Sequence, residues 1–313
     1  MVKYFKKRAF LSHVPSARRK TAMILMKQVR DHAIWRKSFM DLASDVFGLS
    51  FESWYQNGYW TDCYCPYVFL ENDTVVASAA VNHIETIWDG VPGHLIQIGT
   101  VMTARTYRHR GLSRRLIEEI LSDWKDKSDG IYLFANDTVL DFYPRFGFVP
   151  AKEYQYERKN PGLKTDFSFT KLDMDDSRDR ETLKRCYHLS NPFSALPMNA
   201  SYGLLMFYCG GPMKDHVLYS PALDMACIAY RDGGMLVCED LFGGANAPLD
   251  RILSSLAGPG TQTVRFGFTP KESGDGRFVQ IDPQETGGTL FVMGEIGTVF
   301  ATRPAMFPSL SHA

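Results

Sequence analysis

The stretch Thr106–Leu121, TYRHRGLSRRLIEEIL, sets four arginines and a histidine around one glycine and then becomes an amphipathic helix. A glycine-containing loop that enters a helix makes an anion site. The first N–H groups of the helix have no partner, and its dipole favours negative charge. Gly111 permits close backbone approach, and the arginines around it add charge suited to a diphosphate. A nucleic acid fits less well, because the basic cluster is compact and no series of stacking aromatics accompanies it. A solvated basic face is the alternative. The loop has neither the lysine of a Walker A motif nor the three spaced glycines of a dinucleotide fingerprint. A second stretch, ANDTVLDFYPRFGF over Ala135–Phe148, carries Tyr143. Alone, a tyrosine on an apolar helix reads as core rather than catalytic.

Other chemistries find little support. The six cysteines are scattered, with no CxxC, and Cys63-Tyr-Cys65 is too close a pair for a usual zinc half-site. Cys209, Cys227 and Cys238 lie in apolar runs and read as buried thiols. No ligand cluster implies a metal. The 35 basic and 35 acidic residues cancel, which argues against wholesale nucleic-acid or membrane binding. No apolar run reaches the roughly 18 residues of a membrane span. Reduced thiols and no secretory apolar segment at the start suggest a cytoplasmic protein. The opening MVKYFKKRAFLSHVPSARRK has no acid and reads as a basic arm over residues 1–22; a transit peptide is the other reading.

The elements that must hold these residues follow from periodicity. Met23–Val29 reads as a strand, and Asp31 as the cap of a helix running to about Phe47. Phe51–Gly58 reads as a short helix. Tyr67–Glu71 and Thr74–His83 read as strands joined at Asn72-Asp73. After the turn WDGVPG, the apolar strand His94–Thr103 feeds the basic loop, and Leu112 opens a helix to about Lys127. Ile131–Ala135 is a strand and Thr138–Arg145 a short helix, broken at Gly147. The order predicts a mixed α/β or α+β layer on one sheet. Polar PGLKTD (Pro161–Asp166) marks a domain boundary, giving domains over 23–160 and 161–313. The second half predicts strands at 167–172, 218–230, 235–242, 263–268 and 289–293, and helices at 178–188 and 248–256. It repeats the first half in outline, without matching residues.

Together the two motifs resemble the GNAT acyltransferases. Arg108-His-Arg-Gly111-Leu-Ser113 matches the signature Arg/Gln-x-x-Gly-x-Gly/Ala with serine in the last place. Asn136, Tyr143, Gly147 and Phe148 match a second signature at the family's spacing, and the likeness covers about Met23–Glu157. It implies a GNAT-type mixed sheet flanked by helices, followed by a second, degenerate GNAT-like α+β domain. It also implies acetyl-CoA as co-substrate and no metal. Main-chain groups of Val101, Met102 and Thr103 would hold the pantetheine arm, and Asn136 would touch it. Arg108, His109, Arg110, Gly111, Leu112, Ser113 and Arg114 would form the pyrophosphate loop. Tyr143 would protonate the leaving thiolate, and a main-chain N–H of the splayed strand would support the oxyanion.

A base is also wanted. Where some relatives have a glutamate, this chain has Gln97, which cannot accept a proton; His83, Glu85 and His94 are nearby in sequence. The run YRHRGLSRRL, with PRFGF and a long C-terminal extension, is similar to the Eis-type multi-domain acetyltransferases, in which the terminal carboxylate is the base. That likeness implies the α-carboxylate of Ala313 here, at the end of PAMFPSLSHA. The expected function is acetyl transfer to a primary amine, of a small cationic molecule or of a peptide or protein, by direct attack in a ternary complex, with a non-catalytic acyl-CoA sensor as the alternative. Glu52, Asp62 and Glu85 tilt the acceptor toward a cationic small molecule. The C-terminal domain, lacking a pyrophosphate loop after Phe242, is expected to wall the acceptor site or serve structure. No nucleic-acid or membrane partner is expected, and self-association is left open.

Overall fold

Asn72 and Asp73 both adopt positive φ (51° and 59°), the geometry of a tight hairpin turn, and they join the two strands that found the first sheet. The computed structural model describes residues 23–88, 90–163, 167–199 and 201–313, without the side chains of 285 and 286. The basic arm and residues 164–166 of the polar boundary thus lie outside the described residues. The first half runs β1 (Ile24–Lys27), α1 (Ala33–Phe47), α2 (Glu52–Gln56), β2 (Tyr64–Glu71), β3 (Thr74–Trp88), β4 (Val91–Thr103), α3 (Leu112–Trp124), β5 (Gly130–Ala135), β6 (Val149–Pro150) and β7 (Tyr154–Lys159). The second runs β8 (Thr170–Lys171), α4 (Ser177–Tyr187), β9 (Met198–Asn199), α5 (Tyr202–Cys209), β10 (Val217–Ser220), β11 (Met225–Asp232), β12 (Met235–Gly243) and α6 (Leu249–Leu256). It ends with β13 (Thr263–Phe266), β14 (Arg277–Gln280), α7 (Pro283–Thr286), β15 (Thr289–Gly294) and α8 (Ile296–Thr302).

The chain builds two mixed sheets flanked by helices. One has the order β1-β2-β3-β4-β5-β15-β6, with β9 on the side of β3; the other has the order β14-β7-β13-β12-β11-β10-β8. The sheets do not part at residue 160. β7 pairs with β13 and β14 in the second sheet, whereas β15 returns from the C-terminal half to pair with β5. Each sheet has three antiparallel strands, a crossover helix and a parallel strand: β2-β3-β4-α3-β5 and β10-β11-β12-α6-β13. The outline repetition expected from sequence is present in these paths.

Packing follows the patterns. α3 buries Leu112, Leu116, Ile117 and Ile120 on one face of the first sheet. On the other face α1 and α2 bring Phe39, Leu42 and Trp54 onto Trp60 and Tyr64. Removing the fully buried Leu116 side chain should cost about 2–5 kcal/mol. Three local expectations are corrected. His32, not Asp31, caps α1, accepting from Trp35 N, because the Asp31 carboxylate is paired with Arg30. The expected helix at 138–145 is two 3-10 turns, Asp137–Val139 and Tyr143–Phe146, since Pro144 removes a backbone donor inside it. The expected strand 218–230 is β10 and β11 with a turn between them at Pro221, which cannot donate to a ladder. Among the described residues no helix is long and apolar enough to cross a membrane.

Candidate active site

The site begins where two parallel strands part. β4 and β5 pair from Leu95↔Gly130 to Ile98↔Leu133, and no further, although β4 continues to Thr103. On its other edge β4 carries a bulge. Ala80 pairs with Gly99 and Ser78 with Met102, so Thr100 and Val101 together oppose Ala79, and Thr100 takes φ 49°. A bulge bends its strand and re-aims it. The wedge between the strands is a cavity of about 380 Å³, lined by Gly99, Thr100, Val101, Ser113, Asn136, Tyr143 and Ala313 among others.

At one end of the wedge lies the basic loop. His109 and Gly111 both have positive φ (62° and 73°), and Gly111 is the N-cap of α3 with no side-chain hydrogen bond. The first-turn N–H groups, left without a capping side chain, are available to an anion. A Cβ on Gly111 would meet nothing within 4 Å, so the glycine serves its conformation and open access, not internal packing. The arginine side chains do not converge. Arg108 Nε donates to Thr103 O (3.3 Å), Arg110 to Thr106 O (2.8 Å), and Arg114 pairs with Glu118 (2.8 Å). The loop therefore offers main-chain donors inside a diffuse positive field. Ser113 Oγ lies 3.0 Å from Thr103 Oγ1, which accommodates the serine in the motif's last place. Met102 is buried in the core behind β4, so only its main chain can face a ligand. Asn136 Oδ1 accepts from Thr138 (2.6 Å), which fixes the amide at the cavity edge.

Tyr143 is buried at the floor of the wedge, and desolvation alone pushes its phenol up to about 12. It stays protonated at neutral pH.

At the middle of the wedge lies Ala313. A Cβ built on Gly99 would stand 2.6 Å from Ala313 O and 2.9 Å from its carbon, so the chain end rests on bare glycine backbone. Gln97, fully buried, holds the tail. Its carboxamide donates to Ser311 O (2.8 Å) and accepts from Ala313 N (2.9 Å). Tyr208 OH donates to His312 O (2.6 Å), and the His312 ring stacks on Phe134 at 4.0 Å. The upstream tail docks on the second sheet. β12 and β13 part after Cys238↔Phe266, and just beyond that point Gly267 O accepts from Ser309 N (2.8 Å) while Glu239 accepts from Ser309 Oγ. Glu153 accepts from Phe307 N (2.9 Å), and burial raises its carboxyl to about 8. Sequence reading missed these anchors, since the tail's partners are scattered over 97, 153, 208, 239 and 267.

Ala313 also borders a second cavity of about 300 Å³, lined by Phe51, Trp54, Tyr64, Asn82, Phe207 and Tyr208 among others. α5, from the C-terminal half, supplies Phe207 and Tyr208 to this lining. The other candidate bases are elsewhere. His83 and His94 stack on each other, their rings 3.1 Å apart at Nδ1 and Nε2, and neither lines the wedge. Glu85 pairs across to His94 and Asn199, and Asp62 is bound by Arg30 (2.9 Å). Glu52 accepts from Gln56 (2.7 Å). None of these three acids lines the second cavity. A larger groove, about 710 Å³, lies between Ile87, Leu189 and Lys271, and no motif residue borders it. Among the described residues no group of three His, Cys, Asp or Glu is arranged to hold a metal.

The fold is shared with solved structures. Eis1 from Mycobacterium abscessus is similar at TM-score 0.57 and 15% identity, over 90% of this chain and 76% of that one. A probable N-acyltransferase of Enterococcus faecalis V583 gives 0.58 and 16%, over 87% and 72%. A GCN5-related N-acetyltransferase from Kribbella flavida gives 0.55 and 15%, over 87% and 71%. No curated protein matches the chain. Residues 27–151 match the family profile described as an acetyltransferase (GNAT) domain, a span that holds the parted strands, the basic loop and Tyr143. Over residues 27–151 the chain is thus similar to the acetyltransferase domains of the GNAT family, and it shares the fold of the solved N-acetyltransferases along most of its length.

Proposed function

We propose that the protein transfers the acetyl group of acetyl-CoA to a primary amine by direct attack, with the Ala313 carboxylate as base and Tyr143 as acid. The observation that carries this reading is the seat of Ala313. Its carboxyl group borders both the wedge and the second cavity, where a base must stand to serve an acceptor on one side and a thioester on the other.

The residues present fit the co-substrate. First-turn N–H groups of α3, from Leu112 to Arg114, bind the pyrophosphate, with Arg108, His109, Arg110 and Gly111 shaping the loop. Main-chain groups of Val101, Met102 and Thr103, no longer paired with β5, bind the pantetheine arm as a strand would, with Asn136 beside it. Acetyl-CoA supplies the thioester carbon; as the amine attacks, a C–N bond forms and the C–S bond breaks. Ala313 takes the proton the amine must lose, and Tyr143 donates to the departing sulfur. A main-chain N–H of β4 beyond the bulge stabilises charge on the carbonyl oxygen.

The test is calorimetric titration with acetyl-CoA of the native protein and an Arg110→Glu, Gly111→Asp double variant. Micromolar-range binding that the variant loses supports the loop assignment. No binding by the native protein sinks the reading.

A further inference from the structure

The acceptor cavity is poor in charge and rich in rings. Phe51, Trp54, Tyr64, Leu204 and Phe207 form much of its wall. The polar heads of these rings are already used inside the protein. Trp54 Nε1 donates to Gly203 O (2.6 Å), Tyr64 OH bonds Thr100 Oγ1 (2.9 Å), and Tyr208 OH donates to His312 O. What faces the space is ring surface. Among the described residues, the only carboxylate bordering it is that of Ala313, and burial keeps the His312 ring neutral. Asn82, whose amide nitrogen leans on Gln97 O (3.5 Å), adds one carbonyl oxygen able to accept from an amine.

We infer that the acceptor is a monoamine carried on an aromatic ring by a short alkyl link, a phenethylamine-like molecule rather than a polycation. The inference rests on the acyl-transfer reading above and names its substrate class. Size agrees: about 300 Å³ is about twice the roughly 150 Å³ that holds benzene, leaving room for a link and an amine. Charge agrees as well. One ammonium meets one carboxylate and ring faces that attract cations. A further ammonium of a polyamine or aminoglycoside lodged inside the cavity would find no partner there, which is costly. The ring packs against the wall that Trp54 and Phe207 form together, edge to face at 6.2 Å, and the amine points to Ala313. The amine nitrogen bonds to the acetyl carbon, its proton passes to Ala313, and the sulfur leaves as the thiol of CoA.

The experiment has two arms on the full chain. Fluorine NMR of 4-fluorophenethylamine, without acetyl-CoA, reads occupancy of the cavity for the native protein, Phe207→Glu and Leu204→Trp. Circular dichroism checks that each variant folds. Thiol release then compares phenethylamine with spermidine and an aminoglycoside, using acetyl-CoA and hexanoyl-CoA. The inference expects probe broadening that both folded variants lose, and kcat/KM for phenethylamine at least about tenfold above either polycation, the ratio that 1.4 kcal/mol of preference gives. If one variant fails to fold, the other decides. Faster turnover of a polycation, in a protein that binds acetyl-CoA, overturns this inference and leaves acyl transfer standing. Hexanoyl-CoA displacing the probe and outpacing acetyl-CoA assigns the cavity to an acyl chain and also overturns it. Failure to bind acetyl-CoA in the calorimeter removes the reading beneath and this inference with it.

Discussion

Gly99 and Ala313 are in van der Waals contact of a kind only glycine permits: any side chain at position 99 would occupy the place of the Ala313 carboxyl group. Position 99 is also where β4 has just lost β5 and has not yet reached its bulge. Gly99→Ala should therefore push the carboxylate out of the wedge without touching the pyrophosphate loop. Loss of a general base costs about 100-fold or more in rate. Turnover should fall by that order while acetyl-CoA affinity in the calorimeter is unchanged. Full turnover in Gly99→Ala would remove Ala313 from the mechanism.

Deleting Ser311, His312 and Ala313 separates base from scaffold more sharply. Acetyl-CoA should still bind, and turnover should collapse. Gln97 then becomes informative. In the full chain Gln97→Glu cannot donate to Ser311 O and sets a second negative charge beside Ala313, so it should slow the enzyme. In the truncated chain the same substitution supplies a carboxylate able to accept the amine's proton, and turnover should partly return. Initial rates of the four proteins, with and without each change, decide this. Equal loss in both backgrounds would mean that Gln97 acts only through folding.

How much of this was legible beforehand divides along a physical line. The places of Arg108–Ser113, Asn136 and Tyr143 around the wedge were readable because local spacing sets them: a strand, a glycine, a helix start. α3 was readable from one apolar stripe. α5 was not, since YGLLMFYC is apolar all round and offers no period to read, yet it brings Phe207 and Tyr208 to the second cavity. The return of β15 into the first sheet was hidden too, because a short apolar strand does not state its partner. Glu52, Asp62 and Glu85 lie off the second cavity, and that too was hidden. Nearness in sequence to the cavity strands says nothing about which face a side chain takes.

Tyr143→Phe removes one hydroxyl from a buried floor that makes no other use of it. Its phenol, raised to about 12, is a weaker acid than a thiol near 8.5, so it supports the sulfur chiefly as a hydrogen-bond donor. The expected loss in kcat is therefore at the low end of acid catalysis, about 100-fold or less, with KM for acetyl-CoA little changed. A larger effect from a thioester with a poorer leaving group would strengthen the assignment. No effect on any thioester would exclude Tyr143 as the acid.

Glu153 ties the tail's anchorage to pH. Its carboxyl is buried and raised from 4.5 to about 8, so the folded state holds a proton that the unfolded chain releases above 4.5. Stability from this group is full below pH 4.5 and is lost as pH rises through 8. Buried Asp240, raised to about 7, acts in the same direction and finishes sooner. His312 has the opposite sign. Desolvation lowers it from 6.5 to about 4, so its contribution is present above 6.5 and lost as pH falls through 4. The effects oppose each other between pH 4.5 and 6.5, which leaves Glu153 the main slope from pH 7 to 8. One group titrating there is worth about 1 kcal/mol, a fall of about 2 °C in Tm for a chain of this size. Glu153→Gln keeps an oxygen for Phe307 N and has nothing to ionise. Thermal melts at about pH 7, 7.5 and 8 should decline in the native protein and stay level in Glu153→Gln. Parallel curves would place the titrating group elsewhere.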